Sequence, residues 1–463
     1  MPSIHFYDAL TIGKHPADGQ LVRYDSLYCT TDTAELDSIS IKLRDDVFVP
    51  PDQVEDGDAA LIDLAAGVTE LKWARIAHRA FATPDCLHVA YGGTGRLEQF
   101  VRFSMYRNLL PFPGHPHGLH CLDLETIILA VRLLRPESLP WPGVAMSNLH
   151  QCLTWDAKLS GGNLAVRGKE VLARLVEAVP KMVEHAMKTS SLPAVRAELG
   201  LDGGEVSDLD AVRPALMVHS SIGGQRSAVA AFPVAVDANY PDILFAADLE
   251  ADLTELCDPT TVDLSVLVRT RPDDRSKPLV RISLSRLPFC SPLKAVRNED
   301  AKRIGMDLRA VDANVRLLRE SRFLAARLKE EAILVLPPQP FDVYHRLWAG
   351  DFSAAEQERM KALHQSEPKQ WLEIAATASD GRFLELCERL LGREDPSLLP
   401  QHLIESWESQ VQTRAAGDLV KAESLASLLK RTEDSANRFP TAVGLVRLHE
   451  RLVRIFGQPR AST

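Results

Sequence analysis

The sequence predicts an α/β protein built in three parts, and three observations carry that reading. Over about the first 190 residues, strand-like runs alternate with amphipathic helical runs, as in a mixed sheet flanked by helices. From Pro214 to Pro292, short strands follow one another at the spacing of a small barrel or sandwich. From Asp342 to Phe456, the apolar positions keep helical spacing with short connections. At 463 residues the chain exceeds one ordinary core and predicts several domains.

The elements follow in order. The run from Ile4 reads as a short apolar strand that ends in Asp8, and Leu21–Cys29 and Ser38–Leu43 show the alternation and β-branched content of further strands. Thr69 to Ala82 has helical spacing through Leu71, Ala74, Ile76, Ala77 and Phe81. Cys86 to Tyr91 is a buried-strand run stopped by Gly92-Gly93, followed by helices at Leu97–Asn108 and Cys121–Leu134, the second ended by Arg135-Pro136. Val166–Lys188 reads as one long amphipathic helix, and Ser190–Asp210 as a linker. Strands are expected at Ala215–Ser220, Ala228–Val236, Ile243–Asp248, Leu264–Val268 and Leu279–Ser283, and helix returns from Glu299 to Leu334.

Composition narrows the function classes. The chain is 45% hydrophobic and 25% charged, with mean hydropathy near zero, as in soluble globular proteins. No run approaches the ~18–20 apolar residues of a membrane span. Met1-Pro2-Ser3-Ile4-His5 shows no secretory pattern, so a cytoplasmic protein without membrane partners is expected. Seven cysteines without a C-x-x-C pair fit reduced, buried thiols. The net charge of −10 confines any nucleic-acid surface to a local basic groove.

The strand at Asp8 ends where a two-metal nuclease places Asp-x-Glu, yet Leu10 stands in the glutamate's position. Leucine cannot ligate a divalent ion. Other constellations carry less. His115-Pro116-His117-Gly118-Leu119-His120 lies in a Pro/Gly-rich loop and reads as solvated or facing nucleic acid, not as a metal site. Gly92-Gly93-Thr94-Gly95-Arg96 lacks the G-K-[ST] ending of a phosphate loop and reads as a flexible turn, as does Gly161-Gly162.

Several motifs together resemble one family. They are Phe6 through the Gly13-Lys14-His15-Pro16 turn, Tyr91 with Tyr106-Arg107-Asn108, and Leu134-Arg135-Pro136-Glu137 with Trp141-Pro142. Further along come Arg297-Asn298-Glu299-Asp300-Ala301, Leu317-Leu318-Arg319-Glu320 and Leu347 to Ser353. In order and spacing they resemble bacterial exonuclease I, single-strand-specific 3′-to-5′ DNA exonucleases of the DEDD superfamily. The resemblance implies a ribonuclease H-like exonuclease domain with a mixed sheet, a small SH3-like β-barrel and an all-helical C-terminal domain. Expected boundaries are 1–190, 210–338 and 340–458.

Such an enzyme needs four carboxylates around two magnesium ions and a histidine as general base. Matched position by position, Asp8 is the first acid, Leu10 takes the second and Leu97 the third, with Glu98 one residue further on. The H-x-A-x-x-D segment falls on Ala165 to Glu170, and a poorer register puts Asn163 and Gly168 there. Asp8, Glu98 and Glu170 are thus the remaining acids, and Leu10, Leu97 and Ala165 mark lost positions. The resemblance then implies a protein that no longer cleaves, with no cofactor and a former metal pocket filled by apolar side chains. Its alternative is an exonuclease that uses Asp8, Glu98 and Glu170 with Mg²⁺ in altered geometry.

Other family positions are kept. A basic pocket that grips the acidic, Phe-ended tail of single-stranded-DNA-binding protein falls on Arg135, Arg213, Arg297 and Arg319, where planar guanidinium forks suit a carboxylate. Arg96, Arg102, Arg107 and Arg226 are candidate contacts to a phosphate backbone. The loop His219-Ser220-Ser221-Ile222-Gly223-Gly224-Gln225-Arg226 is shorter than the family's and has no aromatic residue, so a stacking contribution of about 1–3 kcal/mol per base is expected to be lost. Expected partners are single-stranded DNA, the tail of single-stranded-DNA-binding protein, and subunits of a DNA-repair or phage-defence assembly.

Overall fold

The computed structural model describes residues 3–13, 15–49, 63–113, 119–139, 163–201, 206, 208–222, 224–237, 239–331, 340–416, 425–438 and 443–456. The first sheet has the order β3-β2-β1-β4-β5, formed by β1 (Ser3–Ile12), β2 (Gln20–Cys29), β3 (Ala34–Ser40), β4 (Cys86–Ala90) and β5 (His120–Asp123). Strands β1 to β3 run antiparallel, while β4 and β5 lie parallel to β1. Strand alternation sorts the side chains by face. Phe6 enters a core with Leu122, Leu124, Ala165 and Leu172, whereas Tyr7 enters an aromatic core with Tyr24, Trp73, Phe81, Leu97 and Phe100.

Local chemistry sets the helix limits. Helix α1 (Glu70–Phe81) starts where the Thr69 hydroxyl accepts the Lys72 amide, and α2 (Glu98–Arg107) continues a π-helical turn over Gly93–Leu97. Asp123 caps α3 (Leu124–Leu134), and Asn163 caps α4 (Leu164–Ala178) by accepting the Ala165 and Val166 amides. Two more helices follow, α5 (Pro180–Lys188) and α6 (Leu192–Glu198).

Several sequence expectations change here. Residues 120–123 pair with β4 as a strand, so the helix expected from Cys121 begins only at Leu124. The single helix over Val166–Lys188 is two: Val179 leaves helical dihedrals, and Pro180 opens α5 at a position where its missing amide costs nothing. The strand expected at Ser38–Leu43 sits earlier, at Ala34–Ser40. Part of the expected linker, Leu192–Glu198, is helical.

The second sheet is antiparallel throughout, with the order β10-β6-β7-β8-β9. Its strands are β6 (Ala215–Val218), β7 (Ala228–Val236), β8 (Ile243–Asp248), β9 (Leu279–Ser283) and β10 (Phe289–Pro292). Pro233 in β7 coincides with a register shift, where a missing ladder donor is tolerated. Leu264–Leu267 is a 3₁₀ turn capped by Asp263, not the expected strand. The helix expected from Glu299 divides into α7 (Asn298–Ile304), α8 (Leu308–Glu320) and α9 (Leu324–Glu331), because Gly305 takes a φ of 73° and Asp307 caps a new start. The C-terminal region holds a 3₁₀ turn at Val343–Trp348 and then α10 (Ala354–Gln365), α11 (Trp371–Ala376), α12 (Gly381–Glu394), α13 (Gln401–Ala416), α14 (Leu425–Arg438) and α15 (Val443–Phe456). Among the described residues no helix is long and apolar enough to cross a membrane.

Buried charge joins the C-terminal helices to the first sheet's helices. Glu70 accepts Arg44 at 2.7 Å and Arg107 at 2.8 Å, and Arg393 donates to the Arg107 carbonyl at 3.0 Å. Tyr344 lies among them, and Tyr106 donates to the Val343 carbonyl at 2.9 Å.

Candidate functional site

Asp8 does not end its strand as expected: β1 runs on to Ile12, and Asp8 sits in mid-strand, half-buried, directly opposite Asp25 on β2. Its Oδ1 accepts the Ala9 amide at 2.7 Å. Burial, and then Asp25, raise its pKa to about 6, against the pull of the Ala9 amide and the Arg167 charge. Asp25 is fully buried and saturated: it accepts Arg23 at 2.9 Å, the Ser38 hydroxyl at 2.6 Å and the Leu164 amide at 2.9 Å. It therefore ties β2 and β3 to the start of α4. Leu10 is half-buried, and Leu97 is packed in the aromatic core on the Tyr7 side of the sheet. Ala165 lies in the opposite core with Phe6. Glu98 is buried and held by Arg102 at 2.7 Å. With Cys121 and Asp123 it adds to the burial that raises the Tyr7 phenol, which places it toward Tyr7's face. Glu170 is half-buried on α4. Among the described residues, Asp8, Glu98 and Glu170 do not form a group of ligand atoms within 4.8 Å of one another.

Gly92–Arg96, expected as a flexible turn, leads into the π-helical turn and is hydrogen-bonded to Asp123. Asp123 accepts the Gly92 amide at 3.0 Å, the Thr94 amide at 3.1 Å, the Thr94 hydroxyl at 2.9 Å and the Glu125 amide at 3.0 Å. Burial, followed by Asp123, raises Glu125 to about 7. Buried His219 accepts the Ser221 amide at 3.0 Å through Nδ1, and its Nε2 has no partner among the described residues. That Nε2 lies 3.8 Å from where a Cβ on Gly95 would stand, so the second sheet closes directly over the turn. Of the expected histidine loop, His120 opens β5, and residues 114–118 lie outside the described residues, as does Gly161-Gly162.

The arginines divide into distinct groups. Arg135 and Arg297 converge on buried Asp300, at 3.0 Å and 2.7 Å, together with Arg303 at 2.6 Å. Glu137 and Glu299 also pair with Arg297, at 2.9 Å and 3.0 Å. Arg213 and Arg319 are exposed and outside this cluster; Asp210 reaches Arg322, so the segment before β6 lies near the end of α8. Arg96 is exposed, donates to the Thr11 hydroxyl at 2.7 Å and lies over Phe100. Arg107 corrects an expectation: it is fully buried, bound to Glu70 and to the Pro16 carbonyl at 2.7 Å, and cannot follow a phosphate backbone. Arg226 is paired with Glu250 through both guanidinium nitrogens, so its charge is already used internally. Arg102 is likewise held by Glu98 and lies over the Phe112 ring at 3.9 Å.

The comparisons with known proteins agree with this architecture. Residues 205–331 match the Exonuclease I SH3-like domain, and residues 341–445 match the Exonuclease I C-terminal domain, together half of the chain. The chain belongs to the exonuclease I family. It is 22% identical to exodeoxyribonuclease I of Escherichia coli K12 over 439 residues, covering 87% of each chain. It is also 22% identical over 419 residues to exodeoxyribonuclease I of Buchnera aphidicola subsp. Baizongia pistaciae, covering 85% of this chain and 84% of that one. The E. coli exonuclease I structure with a dA16 oligonucleotide superposes with a TM-score of 0.80 at 20% identity, covering 98% of this chain and 100% of that one. A structure described as SSB/exonuclease I with the inhibitor CFAM gives 0.82 at 19% identity, with the same coverage. The mixed sheet, SH3-like domain and helical C-terminal domain are those of exonuclease I.

The donor set around Asp8 does not fit the paired magnesium ions of two-metal chemistry, which need clustered carboxylate oxygens. Leu10 presents hydrocarbon, Leu97 packs on the Tyr7 side of the sheet away from Asp8, Ala165 is core, Glu98 is bound by Arg102, and Arg167 sets a fixed positive charge near Asp8. Sequence reasoning missed Arg167, Asp25, Asp123 and Glu125. Asp123 carried a legible signal, an acid immediately before an apolar helical run. Asp25 showed only as one acid inside an apolar strand, and Arg167 carried no signal that separates it from a surface arginine.

Proposed function

We propose that this chain is a non-cleaving exonuclease I-like protein that recognises single-stranded DNA, the acidic tail of single-stranded-DNA-binding protein, or both, as a recognition subunit in DNA repair or phage defence. The observation that supports the loss of cleavage is that Asp8, Glu98 and Glu170 do not gather as ligand atoms among the described residues, while Leu10 stands two residues from Asp8 and Arg167 sets a positive charge near it. Recognition is supported by what its relatives bind: E. coli exonuclease I has been crystallised with dA16, and a related structure is described as SSB/exonuclease I. In this chain the Asp300 cluster offers the matching chemistry. Buried Asp300 aligns three guanidiniums, and exposed Glu137 and Glu299 occupy positions that a ligand's carboxylates would take.

The test is a labelled single-stranded oligonucleotide incubated with purified protein and Mg²⁺, alongside fluorescence titrations with the oligonucleotide and with an acidic Phe-ended peptide. The expected outcome is binding without nucleotide release, with peptide affinity lost in Arg135→Ala. Nucleotide release that disappears in Asp8→Ala would overturn the reading. So would failure to bind either ligand.

A further inference from the structure

The turn that joins β1 to β2 meets the 3₁₀ turn of the C-terminal region at three metal-binding side chains. We propose that His15, Asp18 and His345 form a site for a divalent transition-metal ion of the zinc class, which pins the first sheet's turn to the helical region. One ligand atom from each lies within 4.8 Å of the other two. Two imidazoles and one carboxylate make a donor set suited to borderline ions such as Zn²⁺, not to Mg²⁺ or Ca²⁺.

The residues are held by their own local structure. Asp18 and Gly19 donate their amides to the His15 carbonyl at 3.1 and 2.8 Å, which closes the turn. The His345 amide donates to the Asp342 carbonyl at 3.0 Å, fixing the 3₁₀ turn. The two imidazole rings lie within 13° of parallel, with centroids 5.0 Å apart. His345 Nε2 already meets Asp18 Oδ1 at 2.8 Å, so the ion replaces the proton shared there, and the ring keeps its hydrogen on Nδ1. His15 Nδ1 accepts the Ala17 amide at a long 3.2 Å, leaving Nε2 without a partner among the described residues. Ligation through Nε2 moves the ring proton to Nδ1 and gives up that contact. Zinc–ligand bonds of about 2.0–2.1 Å set tetrahedral ligand atoms about 3.4 Å apart, so the His345–Asp18 pair opens from 2.8 Å while His15 moves in from a separation of at most 4.8 Å. His15 is exposed, and turning its ring gives up the long Ala17 contact and the ring contacts to His345 and Phe103.

Arg414 is the competing charge, at 3.3 Å from Asp18 Oδ1. It also reaches Asp342 at 2.5 Å and Asp46 at 3.5 Å, so three carboxylates answer it, and Asp18 Oδ2 takes no hydrogen bond from the described residues. The remaining coordination position faces solvent on the exposed His15 side, as an open zinc site would with water.

The test uses the untagged full-length protein, with zinc binding followed by calorimetry and Co²⁺ by its visible absorption. One ion per chain is expected, with a Co²⁺ spectrum of low coordination number. Affinity should fall by at least about tenfold in His345→Ala and in His15→Gln, and stay unchanged in Asp8→Ala. His15→Gln is the second variant because its ring is exposed and its loss leaves the fold intact. Absence of zinc binding overturns the proposal, as does wild-type affinity in both histidine variants. Zinc that is lost in Asp8→Ala but kept in His345→Ala overturns it too.

Discussion

Asp8 keeps its carboxylate among groups that disfavour its charge, with burial acting first and Asp25 second. A carboxyl whose folded pKa is raised holds its proton longer in the folded state than in the unfolded one. Below pH 3.8 both states are protonated and nothing is lost. As pH rises toward 6 only the unfolded state releases the proton, so folding loses stability, and above about pH 6 the cost is complete. At ~1.4 kcal/mol per unit, tempered by partial exposure, that cost is on the order of 1–3 kcal/mol. Asp8→Asn keeps an acceptor for the Ala9 amide and removes the charge. Urea denaturation should show a gain of that order at pH 8 that fades toward pH 4, and a loss at pH 8 would refute the raised carboxyl. That Leu10, Leu97 and Ala165 carry no metal-ligand atom is read from single letters of the sequence. The fates of Arg107 and Arg226 are not, since an arginine's partner can lie anywhere along the chain.

At the level of elements, the π-helical turn over Gly93–Leu97 is held by one acid. Asp123 is buried, yet its carboxylate receives three amides and a hydroxyl. Removing it strands those donors, and each unsatisfied buried group costs about 1–3 kcal/mol. Asp123→Ala should therefore destabilise by about 3–5 kcal/mol, with Asp123→Asn recovering part of it through the remaining carbonyl. Hydrogen exchange at Gly92 and Thr94 checks the cause: protection there should collapse before that of β1. Helix α1 and strands β2, β4, β7, β8 and β9 were readable from period and caps. Strand β5 was hidden because four residues run straight into α3 without a breaker, and Leu264–Leu267 because a capped 3₁₀ turn and a short apolar strand share one pattern.

For the whole molecule, the three textures were visible in order because each part has its own hydrophobic period. How the parts meet was not visible, because the contacts join residues hundreds of positions apart. Glu70 is the clearest case. Burial alone would raise its carboxyl, but Arg107 and Arg44 bring it down to about 2. The stability it lends is present above the ordinary glutamate pKa and is lost as pH falls toward 2. Glu70→Gln leaves two guanidiniums poorly compensated and should cost about 3–5 kcal/mol at pH 7, measured by thermal or chemical unfolding. A neutral result would mean that Arg44 finds full compensation in Asp46, to which it donates at 2.8 Å.

The Tyr344 ring has five guanidiniums near it, from Arg44, Arg107, Arg389, Arg393 and Arg414. Two of these belong to the N-terminal half of the chain and three to helices near its end. A truncated chain stopping before residue 340 would lose the aromatic and expose Arg44, Arg107 and Glu70 to water together. Dissection into fragments is therefore a poor route to this protein's biology, and point substitutions in the intact chain are the better instrument.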